Sequence, residues 1–196
     1  EDPRTRVKVI AAFATIYFVW GSTFLAIRVG VRHIPPLLFG GLRFLLAGAL
    51  LTVVALGLRE RFPRRATEWR WLVLFSLLMI TFSNGLSTLA MRHIPSNEGA
   101  LLAAGTALWI AWLGALGPKG HELTVRGMLG LLLGLAGVAL LVWPRESAPS
   151  GHFGWQSLVL IGGLSWAVGT VVYRNAALPI GPVAFNAVMM LLGGSC

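Results

Sequence analysis

Six apolar stretches, each bordered by charged residues and each near the length a helix needs to cross a bilayer, leave this chain few ways to fold. They run from Val7 to Ile27, Pro36 to Leu58, Trp71 to Ala90, Gly99 to Leu116, Met128 to Trp143 and Trp155 to Tyr173. A seventh opens at Gly181 and reaches the last residue, Cys196. A hydrocarbon core about 30 Å thick needs about 20 apolar residues wound as an α-helix. The runs are continuous where barrel strands would alternate, and they are too long for such strands. With 56% hydrophobic and 12% charged residues and a mean hydropathy of +0.77, the chain could not cover a soluble globule with polar surface. The sequence predicts an all-α polytopic membrane protein with six to seven transmembrane helices, housed in the lipid bilayer.

A repeat sets the organisation. Residues 154–196 match residues 8–50 at a constant offset of 146, without a gap over Trp20 to Gly48. Trp20 falls on Trp166, Arg28 on Arg174, Ile34 on Ile180, Pro36 on Pro182, Phe39 on Phe185, Leu45 on Leu191, Leu46 on Leu192 and Gly48 on Gly194. A shared Trp, Arg and Pro at one offset outweigh the chance agreement of apolar sequence. The unit is read as a first five-helix repeat over 8–144, a loop over 145–153, and the start of a second repeat over 154–196, truncated. Five is odd, so the second copy enters the membrane from the opposite side. Inverted-topology repeats of this kind build secondary transporters, in which two related halves rock about a central site.

Charge gives the expected orientation. Of the 16 basic residues, Arg4, Arg6, Lys8, Arg59, Arg61, Arg64, Arg65, Arg70, Lys119, Arg126 and Arg174 fall on one side, while Arg28, Arg32, Arg92 and Arg145 fall on the other and Arg43 lies within a helix. The positive-inside rule places the N-terminus in the cytoplasm. Short basic loops between spanning helices explain the net charge of +9 without a nucleic-acid partner. Trp69 and Trp71 beside Arg70 read as an interfacial anchor, and the first apolar run, with no A-x-A-like ending, as a retained helix.

Few side chains at depth carry chemistry. Arg43 lies about 10 Å below the outer end of its helix, at about 1.5 Å per residue. It either snorkels to the interface or faces a cavity and attracts a carboxylate-bearing solute. Glu98 is the one acid near enough in depth to pair with it. The other polar residues at depth are neutral: Ser22 and Thr23 after Trp20, Asn84 in the third run, and Thr106 near Trp109 in the fourth. An Asn in lipid must face protein or water. Trp20 and Trp166 are expected to wall opposite sides of a pathway, with ordinary packing as the alternative. Gly130, Gly134 and Gly137 form a helix-packing stripe that fits another helix of the chain, with a homodimer as the other partner it could serve.

Enzymatic readings find no support. No Ser/His set, paired Asp or His-x-x-x-His lies at depth, no G-x-x-x-x-G-K-[ST] occurs, and the one Cys is residue 196, so neither a metal site nor a cofactor is expected.

The stretch Y-F-V-W-G-S-T-F at Tyr17 to Phe24, the R-x-G at Arg28 to Gly30 and P-P-L-L-F-G-G-L-R-F-L-L-A-G at Pro35 to Gly48 resemble the EamA family of the drug/metabolite transporter superfamily, and within it the YedA-type exporters. G-L-L-L-G-L-A-G-V-A-L-L at Gly130 to Leu141 is similar to that family's fifth helix, and G-G-L-S-W-A-V-G at Gly162 to Gly169 to its sixth. The resemblance implies ten helices in two inverted repeats and export of small metabolites, often amino acids, or drugs across the bacterial inner membrane. One departure stands out. The family's T-P-L-W in helix 4 is here Thr106, Ala107, Leu108, Trp109, and without the proline that helix is expected to be straighter. The rival to an exporter is a membrane protein that transports nothing, either a truncated fragment or a half-size subunit active only when paired.

Overall fold

The computed structural model describes residues 3–116, 124–143, 152–176 and 178–196. Lys119, Arg145 and most of the expected 145–153 loop lie outside them. The described residues form helices joined by short turns: α1 (Pro3–Gly30), α2 (Pro36–Gly57), α3 (Ala66–Phe75), a π-helical segment (Ser76–Asn84), α4 (Gly85–Ala90), α5 (Ser96–Ala104), α6 (Thr106–Leu116), α7 (Val125–Val142), α8 (His152–Ala176) and α9 (Pro182–Gly194). α3, the π segment and α4 run on as one span, as do α5 and α6. Six helical spans are therefore long and apolar enough to cross a membrane, of 18 to 26 residues, and α9 adds a shorter apolar helix of 13.

Local chemistry sets the ends. Pro36 and Pro182 occupy the first turns of α2 and α9, where a missing N–H costs nothing and the fixed φ suits the helix. Thr124 caps α7, its hydroxyl accepting from the Gly127 N–H at 3.2 Å. α3 begins at Ala66, five residues before the apolar run, because Glu68 reaches back to accept from the backbone N–H of Arg64 (2.7 Å) and Arg65 (3.2 Å). Those bonds hold a polar first turn that hydropathy alone passes over. α2 closes with Arg59 N–H on the Leu56 carbonyl and Glu60 N–H on the Ala55 carbonyl, and Arg59 sits at φ 53°. This is the Schellman arrangement with an arginine where glycine is usual.

The turn so made aims Glu60 at the start of α9. Its carboxylate accepts from the Ala184 N–H at 2.8 Å, capping α9, while the Gly181 N–H donates to the Arg61 carbonyl at 3.0 Å. Two apolar clusters then tie the spans together. One gathers Phe24 and Ile27 of α1, and Val31 just after it, with Met91, Ile94, Leu102 and Val159. The other, toward the opposite end of the third span, gathers Leu72, Phe75 and Ile80 with Phe185, Val188 and Met189.

α2 and α9 run antiparallel and nearly touch. A Cβ placed on Gly41 would lie 2.8 Å from the Gly194 carbonyl oxygen, and one on Gly194 would lie 3.0 Å from that of Gly41. Gly48 in turn faces Ala187 and Leu191, where a Cβ would stand 3.1 Å from the Ala187 oxygen. In lipid no hydrophobic drive brings helices together, so close backbone approach over small residues supplies the attraction.

The fourth span lacks the family's proline yet is not one unbroken helix. The ladder breaks at Gly105, whose N–H bonds the Leu102 carbonyl at 3.0 Å in a tightened turn. Gly105 is packed against Val138 and Leu160. The interruption falls two residues before Ala107, the position of the family's proline.

Candidate transport pathway

The third span winds its central nine residues as a π-helix, and the polar side chains of the sequence collect around it. Such a widened turn leaves carbonyls poorly served by their own helix, and π segments recur at functional sites for that reason. Asn84, its last residue, donates Nδ2–H to the Met79 carbonyl at 2.8 Å. That bond turns Oδ1 toward α2, where it accepts from Arg43 Nη2 at 3.4 Å. The guanidinium also lies 4.6 Å from the centroid of the Phe44 ring. Arg43 and Asn84, 41 positions apart in sequence, are thus the pair of candidate residues that the fold joins.

α8 and α9 pack against the π segment. Ser165 on α8 donates to the Leu78 carbonyl at 2.7 Å, and Thr81 donates to the Gly193 carbonyl at 3.3 Å. Gly162 presses on Ser83, Gly169 on Met79 and Gly193 on Ile80, each so close that a methyl group would collide. Trp166, half-buried, stands between Gly162 and Gly169 along α8.

The remaining candidates are more dispersed. Thr106 opens α6 against Gly163, and Trp109 meets Trp112 with ring centroids 6.0 Å apart. Ser22 and Thr23 both donate to the Val19 carbonyl, at 3.0 and 2.7 Å, and so serve their own helix. Trp20 is 63% exposed, one turn before Phe24 on the stripe that continues through Ile27 and Val31, at a level where no described residue covers it. Of the α7 glycines, Gly134 packs on Leu108, while Gly130 and Gly137 have open space beside them. Trp69 is exposed, whereas Trp71 stacks on Phe75 at 5.6 Å, so the expected anchor is divided between surface and core.

Glu98 does not pair with Arg43. It binds His152 and Gln156 at the start of α8, because the first turn of α5 faces that helix rather than α2. Sequence reading missed this group, the Glu60 cap and the π segment. Asn84 marked the place but carried no sign of its winding. No group of three or more His, Cys, Asp or Glu that could hold a metal occurs among the described residues.

Comparison with known proteins is specific. The EamA-like transporter family matches residues 7–143. The inner membrane transporter YedA of Escherichia coli (strain K12) is 34% identical over 97% of this chain and 61% of its own length. The transporter YvbV of Bacillus subtilis (strain 168) is 29% identical over 97% and 61%, and a transporter of Archaeoglobus fulgidus is 27% identical over 92% and 62%. The chain thus spans about three-fifths of the length of these relatives. No solved structure matches it.

Proposed function

Because the chain belongs to the EamA-like transporter family, we propose that it moves small solutes bearing an anionic group outward across a bacterial inner membrane by alternating access. Amino acids and related metabolites are the expected class, with drugs the wider one. The observation that carries this reading is Arg43. A guanidinium within a membrane span is costly unless paired, and its partner among the described residues is a neutral amide at 3.4 Å, so its positive charge is left for a ligand. A carboxylate accepting two guanidinium N–H groups would replace the long Asn84 bond with shorter, charge-assisted ones.

The two moving bodies are residues 8–144 and a second repeat that begins at 154. Reciprocity in the α2–α9 seam supports this reading. Gly194 is the repeat partner of Gly48 and Ala187 that of Gly41, so Gly41 meets the partner of Gly48 and Gly48 meets the partner of Gly41. Contacts exchanged in this way are what a two-fold relation produces. Arg43, Asn84, Thr106, Trp109 and Trp166 line the pathway in this reading, with Trp20, Ser22 and Thr23 along the open face of α1. The N-terminus is cytoplasmic.

The test is efflux of a panel of labelled amino acids and cationic dyes from cells expressing the protein at measured membrane levels. Saturable efflux of anionic or zwitterionic members and none of the cations is expected. Efflux confined to cations would overturn the substrate class, and no efflux of any member would overturn the transport reading.

A further inference from the structure

Three helices meet at Glu98, and none of the residues they bring there is used in the pathway above. Glu98 stands in the first turn of α5 and His152 is the first residue of α8. His152 Nε2 lies 3.0 and 3.2 Å from the two oxygens of the Glu98 carboxylate. Gln156, one turn further along α8 and 4% exposed, donates Nε2–H to Glu98 Oε1 and also reaches the Leu141 carbonyl of α7 at 3.5 Å. The Glu98 and His152 side chains are 13% and 19% exposed.

The geometry assigns the protons. A carboxylate only accepts, so an imidazole nitrogen facing both its oxygens carries the hydrogen, and the other nitrogen of the neutral ring is then a bare lone pair. That other nitrogen, Nδ1, is buried and has no hydrogen-bond partner among the described residues. Buried acceptors are normally satisfied, and an orphaned one calls for a role. Imidazole is also the side chain suited to gain and lose a proton near neutral pH.

We propose that His152 Nδ1, with Glu98 as its counter-ion, is a proton-binding site that couples solute movement to a proton gradient; this rests on the transport reading above. A hydronium ion delivers one proton to Nδ1 and leaves as water. The ring becomes imidazolium, Glu98 remains a carboxylate, and the α8–α5 contact changes from a neutral hydrogen bond to a charge-assisted ion pair. Proton binding therefore tightens the junction between a first-repeat helix and a second-repeat helix, and release loosens it.

Among the described residues, the other charges at this end are already engaged or exposed. α1 contributes Arg28, whose Nη1 donates to the Met91 carbonyl, and the turn after it the exposed Arg32 and His33. The α4–α5 turn contributes the exposed Arg92 and His93, the latter stacked on Trp155 at 3.8 Å. α7 presents apolar Leu141 and Val142.

Two measurements test the site. The first is ¹⁵N NMR of imidazole-labelled protein in nanodiscs, titrated between about pH 5 and 8. The His152 Nδ1 resonance should move from an unprotonated to a protonated position while Nε2 stays protonated, and Glu98→Gln should shift the midpoint. A His152 Nδ1 that holds one protonation state throughout overturns the proposal. The second is flux of the labelled amino-acid panel in proteoliposomes containing pyranine, with and without an imposed pH gradient. His152→Gln and Glu98→Gln should each lose the excess of gradient-driven over equilibrium flux, together with the solute-dependent pyranine signal. Retention of both by both variants overturns the coupling even if solutes move. No flux by the unaltered protein under either condition overturns the transport reading instead, and with it the coupling, while the NMR titration still decides whether Nδ1 takes a proton.

Discussion

Arg43 Nη2 lies 3.4 Å from Asn84 Oδ1, so the single arginine within the second span is held by an amide that is itself fixed by the Met79 carbonyl at 2.8 Å. A long bond to a neutral partner orients a charge without neutralising it. Arg43→Ala should therefore abolish saturable efflux of anionic solutes, and Arg43→Lys should keep a reduced rate, since lysine retains the charge but not the fork of donors. Membrane expression should stay near that of the unaltered protein. Equal loss in both variants with poor expression would assign Arg43 a structural role.

Replacing the amide by a carboxylate should saturate the same charge. Asn84→Asp places an anion beside Arg43 and is expected to raise KM for anionic solutes by at least about tenfold, the equivalent of about 1.4 kcal/mol. Asn84→Leu removes the tether and should broaden selectivity with less loss. Competition between labelled and unlabelled amino acids, measured on each variant, reads the difference. An Asn84→Asp protein with unchanged KM would separate the pair from solute recognition.

The π segment has no room for added methyl groups. A Cβ at Gly193 would stand 2.6 Å from Ile80 Cγ2, and Ile80 is 2% exposed and walled in. One at Gly162 would stand 2.7 Å from the Ser83 carbonyl oxygen, which is backbone. Gly193→Val and Gly162→Ala should each cost about 1–3 kcal/mol. Gly57→Ala, where open space surrounds the site, should cost nothing. Thermal unfolding of the detergent-solubilised variants checks the contrast.

Glu60 stabilises a helix that begins more than a hundred residues later. Its cap on the Ala184 N–H at 2.8 Å makes Glu60→Ala about 1 kcal/mol destabilising, and Glu60→Gln, which keeps an acceptor oxygen, less so. Titration with denaturing detergent should rank the unaltered protein above Glu60→Gln and Glu60→Gln above Glu60→Ala. The reverse order for the two variants would remove the cap from the account of α9.

Orientation is open to direct measurement. Arg64 and Arg92 are exposed and flank opposite ends of the third span, Ala66–Ala90. On a Cys196→Ser background, Arg92→Cys should react in intact cells with a thiol reagent that does not cross membranes, and Arg64→Cys should react only after lysis. Labelling at 64 in intact cells reverses the topology.

The spans were legible in the sequence because the bilayer imposes one length and one polarity on anything that crosses it. Val7–Ile27 and Trp155–Tyr173 needed only their apolar runs, and the early start at Ala66 escaped notice because Glu68 caps it through atoms that hydropathy does not weigh. Arg43 and Asn84 were each visible as costly at depth, but their contact was not, since it depends on the rotation that the π winding gives Asn84. Depth alone pairs Glu98 with Arg43. Depth fixes one coordinate of a side chain, and the azimuth of α5, which turns Glu98 toward His152, is decided by packing against α8.

In the repeat reading proposed above, the exchanged contacts of α2 and α9, with Gly41 on Gly194 and Gly48 on Ala187, would make a joint that reads alike from both sides of the membrane. Tilting one helix toward either face would then bring corresponding backbone atoms together, leaving the joint itself without a preferred direction. A machine built on such a pivot would run either way with similar ease, and the gradient, not the protein, would set the direction of flow.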